Sequence, residues 1–161
     1  MTFLFRTKGE EERLPGTTFS SSRRHNSHPD ALSRRAGVGQ ILIVEDDRDT
    51  REAISQILTE EGFKVAQAAN GLEALRYLRQ ERNVGLILLD LMMPVMDGLQ
   101  FRSLQARDPA LASIPVIALT ALDAPYPAEL CDITVVRKPI DMARLLVLIH
   151  ARANATLWRG A

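Results

Sequence analysis

The 161-residue chain carries one cysteine, Cys131. An internal disulfide is thereby excluded, and the usage is ordinary for a reducing cytosol; Cys131 is expected to be a small core filler. Nor is there an excess of either charge. Twenty Lys and Arg offset twenty Asp and Glu, so the composition carries no bulk attraction to nucleic acid or to an anionic membrane. No apolar run approaches the roughly 18 residues of a membrane-spanning helix, and Phe3-Leu4-Phe5 is too short for a signal-peptide core. The chain therefore reads as soluble and cytoplasmic. A P-loop, a GxGxxG turn and Cys/His spacing suited to zinc are all missing, as is any internal repeat. His25, His28 and His150 are scattered and receive no role. The length suits one domain with a proper core, not two and a linker.

What is present divides at about residue 38. Residues 1–37 hold seven basic and four acidic side chains, a net charge of about +3 that leaves about −3 on the remainder. From Gly9 to Arg35 the composition is Glu, Ser, Thr, Arg, His and Pro with no period, too little apolar surface to offset the entropy of ordering. Residues 1–38 are expected to be a disordered tail; a basic arm, or a start assigned too far upstream, are the alternatives. An ordered domain is expected over 39–154 and a short tail over 155–161.

Beyond Gln40, short β-branched runs alternate with segments of helical period, the pattern of repeated βα units around a parallel sheet. Strands are expected at Ile41–Val44, Lys64–Ala68, Leu86–Asp90, Val116–Thr120 and Ile133–Val136. A helix carrying Ile54, Ile57 and Leu58 should start behind a capping box of Asp49 and Glu52. Asn70 and Glu73 repeat the device before a second helix that runs to about Gln80. A third, from Asp97 or Gly98, carries Phe101 and Leu104 and stops before Asp108-Pro109. Pro125 and Pro127 leave room for only a shortened fourth helix, and Asp141 opens the last.

In an open parallel sheet, ligands bind at the carboxyl ends of the strands, where strand order reverses. Strand one ends in Glu45-Asp46-Asp47, strand three in Asp90, strand four in Thr120, and strand five runs into Arg137-Lys138-Pro139. Singly these residues have plain explanations: Asp46 or Asp47 as a helix cap, Thr120 as an ordinary strand residue, Lys138 as a solvated charge. Asp90 is harder to dismiss, because it follows the apolar run Leu86-Ile87-Leu88-Leu89. Neighbouring buried carboxylates repel unless a cation neutralises them. A hard divalent ion with oxygen ligands resolves the conflict, and Mg²⁺ suits a site offering one or two carboxylates plus water. Lys138 and Thr120 could then hold a phosphoryl group for in-line attack by Asp90, which would give an aspartyl phosphate.

The segments ILIVEDD, LILLDLMMPVMDG, VIALTA and VRKPID together resemble the receiver domain of bacterial two-component response regulators, over about residues 39–154. Asp46 to Asp90 spans 44 positions and Asp90 to Thr120 spans 30, as the family would place them. The resemblance implies a flavodoxin-like, doubly wound α/β fold with five parallel strands in the order 2-1-3-4-5. It implies Asp90 as phosphoacceptor, and Mg²⁺ held by Asp46, Asp90 and the backbone carbonyl of Met92, with Glu45 binding directly or through water. Thr120 becomes the switch residue, and Lys138 pairs with the phosphoryl group ahead of a cis Pro139. Pro94, Asp97 and Gly98 are given structural duties. The implied partners are a sensor histidine kinase, a histidine phosphotransfer protein and a downstream protein target, with neither nucleic acid nor membrane.

Two departures follow. Thr120 to Lys138 spans 18 positions, short for the family, and the aromatic switch position three before the lysine is Val135. The usual aromatic relay is therefore absent. Met92 and Leu122, which flank the family's route for the hydrolytic water, are apolar and cannot orient that water, so slow loss of phosphate is expected; plain packing is the other explanation of both. With only NATLWRGA after Ala153, the chain reads as a stand-alone receiver and not as an enzyme, catalysing only its own phosphorylation and dephosphorylation. The alternatives are a degenerate receiver acting as an interaction module and an aspartyl-nucleophile hydrolase, whose D-x-D pattern Asp90-Leu91-Met92 does not supply.

Overall fold

Branched and aliphatic residues dominate QILIV, VGLILLD and VIALT, which favours extended backbone on a half- or fully buried surface. These three runs form the middle of a five-stranded parallel sheet. The computed structural model describes residues 39–123 and 125–157; the expected tail over 1–38 and the end of the one over 155–161 lie outside them. The strands are β1 (Gln40–Val44), β2 (Val65–Ala68), β3 (Val84–Asp90), β4 (Val116–Thr120) and β5 (Thr134–Arg137), in the spatial order β2-β1-β3-β4-β5. Every expected strand is present, with ends displaced by a residue or two.

Because successive side chains of a strand leave on opposite faces, the sheet carries two cores. Ile41, Ile43, Leu86, Leu88, Ile117 and Leu119 pack on one face with Ile54 and Leu58 of α1 (Arg48–Glu60) and with Leu145 and Ile149 of the C-terminal helix (Met142–Leu157). Leu42, Val44, Ile87, Leu89, Val116 and Ala118 pack on the other with α2 (Gly71–Gln80) and α3 (Gly98–Arg107). The C-terminal helix opens where expected, with Asp141 accepting from the Arg144 N–H at 3.1 Å, but it continues past the boundary placed at 154. His150 on that helix lies against Phe63, ring centroids 5.2 Å apart, a packing contact.

Several expectations need correction. The cap of α1 is Asp47, whose carboxylate accepts from the Thr50 N–H at 2.8 Å. Asp49 is already helical, and a cap needs the extended backbone that Asp47 has. Glu52 pairs instead with exposed Arg48 at 2.8 Å. In α2 the device holds: Asn70 accepts from the Glu73 N–H at 3.0 Å, and Glu73 from the Ala69 N–H at 2.9 Å. In α3 Phe101 is buried, but Leu104 is 45% exposed. Its place inside is taken by Arg102 and Gln105: Arg102 donates through Nη1 to Gln105 at 2.5 Å and through Nη2 to Asp132 at 2.6 Å, leaving its buried Nε without a partner among the described residues, and Gln105 donates to the Leu111 and Ile114 carbonyls. Long polar side chains are buried there because their partners come from segments beyond the helix.

The shortened fourth helix is reduced to a 3-10 turn, Ala128–Leu130. Leu130 enters the core. Cys131, the next residue, is exposed and no core filler, since adjacent residues of so tight a turn cannot both face inward.

Candidate functional site

β1 and β3 are neighbours in the middle of the sheet, yet the chain leaves β1 toward β2 on one side and returns as β3 on the other. Strand order reverses between them, and a crevice opens at their carboxyl ends. Register decides what faces it. Val44 pairs with Leu89, so Glu45 comes level with Asp90, both on the face of α1. Each is almost fully buried, at 1% and 3% exposure. One ligand oxygen from each of Glu45, Asp46 and Asp90 lies within 4.8 Å of the others, Asp46 at the exposed rim.

The cation for these acids comes from β5. Lys138 follows that strand, its backbone N–H donating to the Thr120 carbonyl at 2.7 Å, and its ammonium donates to Asp90 Oδ2 at 2.7 Å and to Glu45 Oε2 at 2.9 Å. The Lys138-Pro139 peptide is cis, as expected. Asp90 Oδ1 accepts from the Met92 N–H at 3.1 Å, curling the loop back over the carboxylate. Thr120, fully buried, ends β4 one residue beyond Leu119, the partner of Asp90, and its hydroxyl accepts from the Leu122 N–H at 3.0 Å. The floor is equally set: a Cβ at Gly98 would collide with the Asp90 carbonyl and Leu91 Cα. Only glycine lets α3 begin so close to the end of β3.

Three carboxylates against one ammonium leave a formal charge of −2, which a divalent cation would balance. All donors are hard oxygens, two of them buried and the third, on Asp46, at a rim open to water, a set that fits Mg²⁺. Burial raises the pKa of Glu45; the Lys138 hydrogen bond opposes that rise and the charge of Asp90 adds to it. For Lys138, burial pulls downward, but hydrogen bonds to Asp90 and Glu45 prevail and its pKa rises. The sign for stability follows. With a folded pKa above the unfolded 4.5, Glu45 contributes fully below pH 4.5 and loses that contribution as pH climbs through its raised value. A bound divalent ion competes with the same proton. Excess Mg²⁺ is therefore expected to raise the melting temperature more at pH 7 than at pH 5, a hundredfold excess over Kd at pH 7 adding about 2.7 kcal/mol of stability in total. Thermal unfolding with Mg²⁺ or EDTA at both pH values checks this.

Of the residues singled out in the sequence, Glu45, Asp46, Asp90 and Lys138 thus meet directly, with Thr120 on the adjoining strand end. Met92 is 62% exposed, which removes packing as the reason for its presence; Leu122 is half-buried against the α2–α3 core. Val135 also packs there. One contact was not legible: Arg51 of α1 donates through Nη1 to the Glu45 carbonyl at 2.6 Å and to the Asp46 carbonyl at 3.2 Å. A basic residue in a helix's first turn carries no sequence signal for it.

Residues 41–150 match the response regulator receiver domain family. The chain is 37% identical over 125 residues to the transcriptional regulatory protein AfsQ1 of Streptomyces coelicolor, covering 74% of this chain and 52% of that protein. It is 35% identical over 128 residues to a CpxR homolog of Haemophilus influenzae, covering 77% and 52%. Among solved structures, the signal receiver domain of a signal transduction histidine kinase from Syntrophus aciditrophicus superposes with a TM-score of 0.66 at 33% identity, over 73% of this chain and 92% of that one. A CheY-like receiver domain from Methanospirillum hungatei gives 0.68 at 25%, over 76% and 99%. The chain spans 31% to 52% of the length of such curated relatives. Strand order and the match along all five strands agree, and the chain belongs to the response regulator receiver domain family.

Proposed function

We propose that this protein accepts a phosphoryl group on Asp90 from a histidine kinase or a histidine phosphotransfer protein, in a Mg²⁺-dependent reaction in the cytoplasm, and signals by docking other proteins. The observation that carries the reading is the pair of buried carboxylates bridged by Lys138, with Asp46 at their open rim. In the transfer, an Asp90 carboxylate oxygen attacks phosphorus while the bond to the donor imidazole breaks, and the imidazole nitrogen takes the electron pair. Glu45, Asp46, Asp90 and the Met92 carbonyl would hold Mg²⁺, which supplies charge neutralisation at the phosphoryl oxygens. Lys138 passes its ammonium from the carboxylates to a phosphoryl oxygen, and the Thr120 hydroxyl donates to another. The chain is in this reading no enzyme toward other substrates. Support for an altered output face comes from the 3-10 turn between β4 and β5 and from Val135 in place of an aromatic switch.

The test is intact mass after incubation with Mg²⁺ and a small acyl-phosphate donor, native against Asp90→Asn. A Mg²⁺-dependent phosphoryl adduct confined to the native chain is expected; its absence from a folded chain that binds no Mg²⁺ would assign the protein to phosphorylation-independent interaction. The adduct should also last. The Met92 and Leu122 side chains offer a hydrolytic water no hydrogen bond, so decay followed by the same mass measurement is expected over minutes or longer. A half-life of seconds in the purified chain would overturn that expectation.

A further inference from the structure

Glu45 and Asp46 are consecutive, and consecutive side chains of a strand diverge to opposite faces. Glu45 keeps the parity of Ile41 and Ile43 and is buried. Continued extension would send Asp46 to the other face, yet its carboxylate lies within 4.8 Å of those of Glu45 and Asp90. The chain achieves this by bending at Asp46, beyond Val44, the last residue of β1. Both carbonyls of the bend accept from one group, the Arg51 guanidinium, at 2.6 Å and 3.2 Å. A planar donor held on two successive carbonyls fixes the orientation of the peptide between them, and with it the direction in which the Asp46 side chain departs.

We infer that Arg51 is a positioning residue for the divalent-ion site, acting through the backbone to converge two carboxylates that strand geometry would separate. The inference rests on the Mg²⁺ reading above. It makes a prediction of unusual sign. By Coulomb's law alone, removing a cation beside a cation site tightens metal binding; removing a positioning group loosens it.

Mg²⁺ titration by calorimetry on the native chain, Arg51→Met, Arg51→Lys and the control Arg48→Met separates the two. Arg48 is exposed, pairs with Glu52 and carries the same charge one turn away. Arg51→Met is expected to raise the Mg²⁺ Kd about tenfold or more, the scale for losing a group that orients a metal ligand, while Arg48→Met leaves it unchanged. Arg51→Lys, which keeps the charge but replaces the planar Nη1 amino group that spans both carbonyls with a freely rotating ammonium, falls between and carries the comparison if Arg51→Met does not fold. Phosphorylation by an acyl phosphate should show a raised half-saturating Mg²⁺ with a near-native rate at saturation. An Arg51→Met Kd equal to or below the native value overturns the inference, as does a lowered maximal rate at native Mg²⁺ affinity. A native chain that binds no Mg²⁺ overturns the metal reading itself, a result distinct from native binding that Arg51→Met leaves intact.

Discussion

Asp90→Asn is expected to abolish the proposed phosphoryl adduct at any Mg²⁺ concentration. The amide has nearly the carboxylate's shape, so the turn of β3 into its loop and the contact with Gly98 persist. What would disappear is the anionic oxygen proposed to attack phosphorus, while Glu45 stays bound to Lys138 and Asp46 at the rim. Mg²⁺ affinity should also fall, by about tenfold or more, because one of three converging carboxylates is lost and a hard cation binds a neutral amide more weakly. The mass spectrum and a Mg²⁺ titration read the two effects separately. An adduct of undiminished yield on Asp90→Asn would move the acceptor to Asp46 or Glu45 and overturn the assignment.

Lys138→Ala has the largest expected effect on stability. The ammonium is the shared partner of two carboxylates whose side chains are 2% and 5% exposed. Without it they face each other in a dry crevice. Breaking a buried pair by removing one partner costs about 3–5 kcal/mol; here proton uptake by Glu45 and access from the rim reduce this to about 2–4 kcal/mol. That corresponds to a fall in melting temperature of order 10 °C in EDTA. Excess Mg²⁺ should recover most of it, since the ion supplies the missing positive charge. Asp123→Ala, which removes the exposed partner of neighbouring Arg137, should change stability by less than about 1 kcal/mol in either condition. Thermal unfolding of the variants in EDTA and in Mg²⁺ checks both; native stability of Lys138→Ala in EDTA would refute the bridging role.

Much of this arrangement is legible in the sequence. The strands showed as β-branched runs because parallel strands covered on both faces need apolar side chains at every position, and Asp90 stood out for that reason. Five of the site residues, Glu45, Asp46, Asp90, Thr120 and Lys138, could be placed by one rule, that ligands meet the carboxyl ends of strands where the order reverses. Helix details were less legible, each for a physical cause. Asp46, Asp47 and Asp49 all precede the same apolar run, and only backbone conformation selects Asp47 as the cap. The inward face of α3 could not be read from period, because Arg102 is buried by an acid 30 positions away, Asp132. Leu104, apolar and correctly spaced, stays half outside. Arg51 escaped notice because its partners are main-chain carbonyls, which leave no trace in side-chain chemistry.

The 3-10 turn that stands between β4 and β5 ends in an exposed thiol, and the chain has one cysteine in all. A spin label or fluorophore attached to Cys131 therefore reports on that segment alone, against no background from other thiols. The segment begins at Thr120 and runs on to Lys138, the two groups assigned to the phosphoryl oxygens. This chain thus comes with its own probe of whether the proposed phosphorylation at one end of the sheet is felt at its edge.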